Sequence, residues 1–233
     1  MPYSIDEIVK AYEILVKGIE DYANTIESRS FGGIIRAGKG KLVESIARHM
    51  VEIAWELVGG QSDRLSFDKK TIKIPINKPY IEKIRNRKVR EYIYKHINEY
   101  YYGLKTDIHV CVDQQFVMGI ECKAYTENAM LKRILVDFTL LKSVLPNLQC
   151  VLIQLESQLT GDYSQPTKQI IYGSHPTHTL LSYFDVDLNI ITLLEGERKV
   201  DKPIHHKQNY EELKKDILEK GVRTLSEFLK IYL

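Results

Sequence analysis

Between residues 105 and 125 the chain gives up helical spacing. KTDIHVCV and FVMGIECKAY are two runs of apolar and β-branched residues, separated by the turn-compatible Asp113, Gln114 and Gln115. That pattern predicts two antiparallel strands joined as a β-hairpin. A hairpin alone cannot bury itself, so the rest of the chain has to supply further strands and covering helices. The flanks carry the patterns for both. Apolar residues at helical spacing predict helices over residues 5 to about 26, 41–57, 79–102, 127–144 and, interrupted near Gly221, 210–233. LQCVLIQL reads as a strand buried on both faces, with shorter strands expected over 71–76 and 189–194. SRSFGGIIRAGKGK and the stretch LTGDYSQPTKQIIYGSHPTH read as loops.

With 233 residues and 44% hydrophobic content, the chain has apolar material for one sizeable core, so a single domain over 1–233 is expected. No run approaches the roughly 20 apolar residues of a membrane-spanning helix, and MPYSIDEIVK lacks the features of a signal peptide. A soluble, cytoplasmic protein is the expectation. Cys111, Cys122 and Cys150 lie in apolar strand-like segments without zinc-site spacing, which predicts reduced, buried thiols.

The charges nearly cancel, 33 Lys and Arg against 31 Asp and Glu, but their distribution is uneven. The run KIRNRKVREYIYK sets Lys83, Arg85, Arg87, Lys88, Arg90 and Lys95 against Glu91 alone. It is either a phosphate-binding patch, in which Arg85 and Lys88 would face DNA, or a solvated helix face. AGKGKL looks superficially like a phosphate-binding loop, but it lacks the glycine spacing and a clear preceding strand, so a nucleotide-binding loop is rejected there.

The hairpin also carries the chemistry. Residues two apart on a strand point to one face, so Glu121 and Lys123 lie together, and a paired neighbouring strand can bring Asp107 beside them. Two carboxylates and an ammonium gathered at a sheet edge must be paired or bound to metal. Phosphodiester hydrolysis accounts for the trio. Asp107 and Glu121 would hold Mg²⁺, with the carbonyl of Cys122 as a further ligand, and Lys123 would orient or help deprotonate a water and offset transition-state charge. The competing reading is a pair of residues decorating a solvent-facing strand.

TDIHV followed by GIECKAY resembles the PD-(D/E)XK nuclease superfamily, and the length suits a type II restriction endonuclease. Where that family usually has proline before its aspartate, this chain has Thr106. The resemblance implies an α/β (α+β mixed-sheet) fold. Its restriction-endonuclease-like core would span about 41–157, with a helical part at 1–40 and a loop, strand and helices at 158–233. It implies a sequence-specific, Mg²⁺-dependent endonuclease that cuts double-stranded DNA as a homodimer. It adds Glu44, from the helix before the hairpin, as a catalytic candidate, and Gln154 and Glu156 at the end of the next strand as either second-metal ligands or strand terminators. It turns Tyr125, Glu127, Asn128, Lys132 and Arg133 toward DNA, although helix capping by Thr126 or Asn128 explains that region more simply. In the long loop, Gln158, Tyr163, Gln165, Lys168, His175 and His178 suit base edges and phosphates. His205 and His206 are adjacent and poorly placed to chelate together. A structure-specific repair or junction-resolving nuclease, and a non-catalytic DNA-binding module on a nuclease-like core, are the alternative functions.

Overall fold

A computed structural model describes residues 4–23, 31–159, 173–198 and 211–233. The hairpin is its centre. β4 (Ile108–Val112) and β5 (Gln115–Thr126) pair antiparallel around Asp113 and Gln114, whose φ angles of 49° and 65° make a tight two-residue turn. Arg64 holds the turn from outside, donating to the Asp113 carboxylate at 2.7 Å and to the Tyr232 carbonyl at 2.8 Å.

Around the hairpin the sheet grows in both directions. β1 (Leu65–Asp68), which no clear sequence pattern marks, pairs antiparallel with β4 and puts Asp68 opposite His109. On the other side α5 (Asn128–Lys142) carries the chain over the sheet to β6 (Gln149–Ser157), which lies parallel to β5, and β7 (Leu188–Thr192) follows parallel to β6. The mixed α/β architecture expected from the sequence is thus a five-stranded sheet in the order β1-β4-β5-β6-β7.

Alternation along the strands feeds two cores, one on each face. Ile108, Val110, Ile120, Cys122, Val151 and Ile153 point to one face, where α1 (Ile5–Ala23), α2 (Phe31–Leu57) and α7 (Lys215–Leu229) cover them. Cys150 and Leu152 point to the other, under Leu131, Leu135 and Phe138 of α5. Leu180 and Leu181 of α6 (His175–Leu181) complete that side. All three cysteines are free and buried, as expected. No described helix is long and apolar enough to cross a membrane.

Three segments differ from their sequence patterns. The glycine-containing stretch from Phe31 is the first part of α2, not a loop; propagation of a 27-residue helix outweighs the roughly 1 kcal/mol cost of each glycine. α7 runs through Gly221 without a break. A Cβ there would lie 2.5 Å from Met50 Cε and 3.2 Å from Ile191 Cγ2, so this glycine serves close helix packing. The expected helix over 79–102 is instead α3 (Lys78–Glu82), α4 (Arg87–Lys95) and a 3-10 turn. Asn86 divides the helices by accepting a hydrogen bond from the Val89 amide as the N-cap of α4. β3 (Tyr101–Leu104) then pairs with β2 (Ile72–Pro75) in a separate two-stranded ribbon.

Candidate active site

Lys123 and the two carboxylates meet as the hairpin pattern predicts. β5 turns Glu121 and Lys123 to the α5 side, and Asp107, just before β4, lies across from them. Lys123 Nζ donates to Asp107 Oδ2 at 2.9 Å and to Glu121 Oε2 at 2.6 Å. The Cys122 amide donates to the same Asp107 oxygen at 2.8 Å. One strand therefore supplies a carboxylate, an ammonium and a backbone donor that fix the second carboxylate.

Thr106 shows how the chain manages without the usual proline. Its buried amide donates to His109 Nε2 at 3.2 Å, and its hydroxyl donates to the Ile108 carbonyl at 2.9 Å. The His109 ring is buried and stacked on Phe116 with centroids 4.1 Å apart. Burial lowers its pKa, which leaves the ring neutral and able to accept. Gly119 opposite leaves room for the arrangement, since a Cβ there would meet Phe138, Thr106 and Phe116 at 3.0–3.4 Å.

The electrostatics separate the two ends of the ion pair. Burial pushes the Glu121 carboxyl up to about 7, with a further rise from the Asp107 charge, although Lys123 pulls in the other direction. Burial alone would depress Lys123, but the Glu121 and Asp107 charges and hydrogen bonds outweigh it, and its pKa rises. Lys123 is thus an ammonium at neutral pH, while Glu121 titrates near neutrality. Such a centre is short of positive charge.

A hard divalent cation fits that shortage. Among the described residues no group of three or more His, Cys, Asp or Glu could hold a metal ion. The site therefore offers two carboxylates and no imidazole or thiolate set, which suits an ion that keeps waters and substrate phosphates in its coordination sphere.

The remaining sequence candidates lie at graded distances. Glu44 on α2 pairs with Lys69 at 3.1 Å; its negative charge helps raise the buried Cys122 thiol, an effect led by burial. Gln154 lies beside Lys123 in the β5–β6 register, fully buried, with Nε2 donating to Thr192 Oγ1 at 2.9 Å and Oε1 unpaired among the described residues. Glu156 is buried beside Tyr125, its pKa raised by burial against the pull of Lys39 and Arg198. Neither Thr126 nor Asn128 caps α5. Glu127 is the N-cap and makes no side-chain capping bond, Thr126 Oγ1 is buried without a partner among the described residues, and Asn128 Oδ1 accepts from Thr177 Oγ1 at 2.7 Å, tying α5 to α6. Lys132 and Arg133 are exposed on α5, Arg133 3.9 Å from Asp137. His175 and His178 are exposed on helix α6, not in a loop; Ser174 caps that helix through the Thr177 amide. Arg85, just before the α4 cap, and Lys88, in the first turn of α4, are exposed, as both readings of that basic run require. Lys168, Tyr163, Gln165, His205 and His206 lie outside the described residues.

Two charged side chains escaped the sequence reading. Arg198 lays its guanidinium 3.7 Å from the Tyr125 ring centroid, donates to Gln158 Oε1 at 3.2 Å and lies 3.9 Å from Glu156. Asp137 adds its field to Glu121, and its own carboxyl is raised by burial against the pull of Arg133 and Lys123. No local motif marks either, because each reaches the site only through the fold.

No family model matches the chain, and no solved structure matches it. Among curated proteins the chain is similar to the type II restriction enzyme DdeI of Desulfomicrobium norvegicum. The two are 53% identical over 205 residues, 87% of this chain and 85% of that enzyme.

Proposed function

The chain belongs to the type II restriction enzymes, and from that premise we propose that Asp107, Glu121 and Lys123 are its phosphodiester-hydrolysing centre. As a member of that family it is a sequence-specific DNA endonuclease of a restriction–modification system, acting on DNA with a divalent metal ion. The observation that carries the site assignment is the convergence of both carboxylates on one ammonium at 2.6 and 2.9 Å.

The ion we assign is Mg²⁺, with Asp107, Glu121 and the Cys122 carbonyl as its protein ligands. When bound, it would polarise the scissile phosphate. Lys123, kept protonated by its two carboxylate neighbours, orients the attacking water and offsets the charge that builds on phosphate oxygens. Asp107 is pre-oriented by the Cys122 amide, so its carboxylate needs no reorganisation as the reaction proceeds. Glu44, the further catalytic candidate, accepts from Lys69 Nζ at 3.1 Å. Tyr125, Asn128, Lys132, Arg133, Gln158, His175 and His178, together with Arg85 and Lys88, are the described residues we assign to contact with the duplex, and Lys168, outside the described residues, is a further candidate. A cytoplasmic homodimer follows from the substrate, since cutting two strands of a palindrome calls for two centres related by a two-fold axis.

Incubation of the purified protein with long unmethylated duplex DNA, with Mg²⁺ or with EDTA, tests this reading. Expected are discrete Mg²⁺-dependent fragments sharing short palindromic ends. Asp107→Ala and Lys123→Ala should each lose on the order of 10²–10³-fold or more in cleavage rate while still retaining duplex binding. Cleavage by either variant at the wild-type rate would remove these residues from the centre.

A further inference from the structure

We propose that residues 69–106 form a cationic arm that grips the phosphate backbone of duplex DNA next to the catalytic corner; the inference rests on the nuclease reading above. The arm leaves and rejoins the sheet at one point. β1 ends at Asp68, β4 starts at Ile108, and the β1–β4 register sets Asp68 opposite His109, two residues past Asp107. Everything between, namely β2, α3, α4 and β3, stands outside the five-stranded sheet. Ile74 and Leu104 anchor the β2–β3 ribbon in the core beneath α5. Ile81 on α3 and Ile93 on α4 are buried outside both main cores, so the tip has apolar burial of its own.

The charge of the chain is divided along this boundary. Residues 69–106 hold eleven Lys and Arg against three Glu, a net charge of +8, whereas the whole chain is only +2; the remainder is therefore net −6. A body of that sign repels a polyanion, and a catalytic corner built on two carboxylates repels it further. The opposing attraction has to come from a cationic surface beside the corner, which the arm supplies. Among the described residues no carboxylate pairs with Lys83, Arg85, Lys88 or Lys95, and all four are exposed. They are not spent on internal ion pairs.

The arm is also rich in exposed tyrosine. Tyr80, Tyr92, Tyr101 and Tyr102 are 47–60% exposed, and Lys73 Nζ sits 4.3 Å from the Tyr101 ring centroid. Phenolic hydroxyls and lysine ammoniums are both donors to phosphate and sugar oxygens. Exposed rings beside unpaired cations fit a wet, polyanionic partner better than an apolar one. The nearness of both stalks to Asp107 means that an arm holding the backbone also fixes where the scissile phosphate falls.

The test is the salt dependence of binding to a duplex of about 30 base pairs in EDTA, between 50 and 200 mM NaCl, for the wild type and the triple variant Lys83→Gln, Arg85→Gln, Lys88→Gln. Loss of two to three phosphate contacts should make the slope of log K against log salt shallower by about 2 to 3 and weaken binding at 0.1 M salt on the order of 100-fold. A second measurement needs no variant: bound duplex should protect Lys83, Lys88 and Lys95 of the wild type from amine acetylation. A slope and affinity equal to wild type, with those lysines unprotected, would overturn the proposal. So would an unchanged slope in a triple variant whose sedimentation shifts from dimer to monomer, which would make the arm a self-association surface. Wild-type protein that binds with a slope the triple variant loses but leaves DNA uncut in Mg²⁺ would sink the catalytic assignment and support the arm.

Discussion

Glu121→Gln should make the metal-free protein more stable at pH 8 while abolishing cleavage. Burial holds the Glu121 carboxyl at about 7 in the folded chain, against an ordinary 4.5. A carboxyl with a raised folded-state pKa binds more protons folded than unfolded between those two values. Stability from this group is therefore present below about pH 4.5, falls as pH rises through the window, and reaches its full deficit above pH 7. At 1.36 kcal/mol per pH unit, the deficit at pH 8 is at most about 3 kcal/mol. Between pH 5 and pH 8 it grows by about 2.5 kcal/mol, because part of it is already present at pH 5. Glutamine keeps the shape and one oxygen acceptor for Lys123 but carries no charge to desolvate, and Lys123 retains Asp107 as its counter-ion at 2.9 Å.

Thermal unfolding in EDTA across that pH range reads the effect. For a chain of this size 1 kcal/mol moves Tm by roughly 2–4 °C, so the gap between variant and wild type should widen by about 5–10 °C from pH 5 to pH 8. The difference between the two pH values matters more than either Tm, since lost packing or a weaker hydrogen bond would shift both equally. Added Mg²⁺ should then raise the wild-type Tm at pH 8 and leave that of Glu121→Gln almost unmoved, because the ion needs the ionised carboxylate. A gap that stays constant with pH would refute the electrostatic reasoning. A variant stabilised by Mg²⁺ as much as the wild type would remove Glu121 from the metal site.

Other positions give sharp expectations. Gln114→Gly should stabilise the protein by about 0.5–1 kcal/mol in denaturant unfolding, because Gln114 sits at φ 65° where glycine carries no steric penalty. Gly60→Ala should destabilise by more than about 2 kcal/mol in the same assay, since the new methyl would lie 2.1 Å from the Trp55 indole, which is itself anchored to the Gln61 carbonyl at 2.7 Å. Both variants lie away from the trio, and fragment patterns on DNA should keep their wild-type ends.

The hairpin and its trio were legible because strand alternation is a local rule. Glu121 and Lys123 share a face whatever the rest of the chain does, but what stands across from them depends on the turn at Asp113 and Gln114 together with a bulge between Val110 and Cys111, which shifts the register by one residue and sets Ile108 opposite Ile120. The crossover helix and the apolar β6 were legible for the same reason. What failed was decided by partners far away in sequence. Gly221 looked like a break until Met50 and Ile191 gave it a packing role, and Arg198 joined the site only through Tyr125 on β5 and through Glu156 and Gln158 at the end of β6.

The misread helix over 79–102 is the most instructive case, because its cause also bears on function. Ile81, Ile84, Val89 and Ile93 follow helical spacing closely enough to suggest one continuous element. A continuous helix of that length would need an apolar face buried along its whole extent. Here only Ile81 and Ile93 are buried, Ile84 is half-covered and Val89 lies open. With so little burial to reward propagation, one side-chain cap at Asn86 is enough to restart the helix in a new direction. Sparse burial and dense positive charge then belong to the same segment for one physical reason. Residues left out of the core contribute little to folding, so they are free to carry charges whose attraction is realised only when a polyanion arrives.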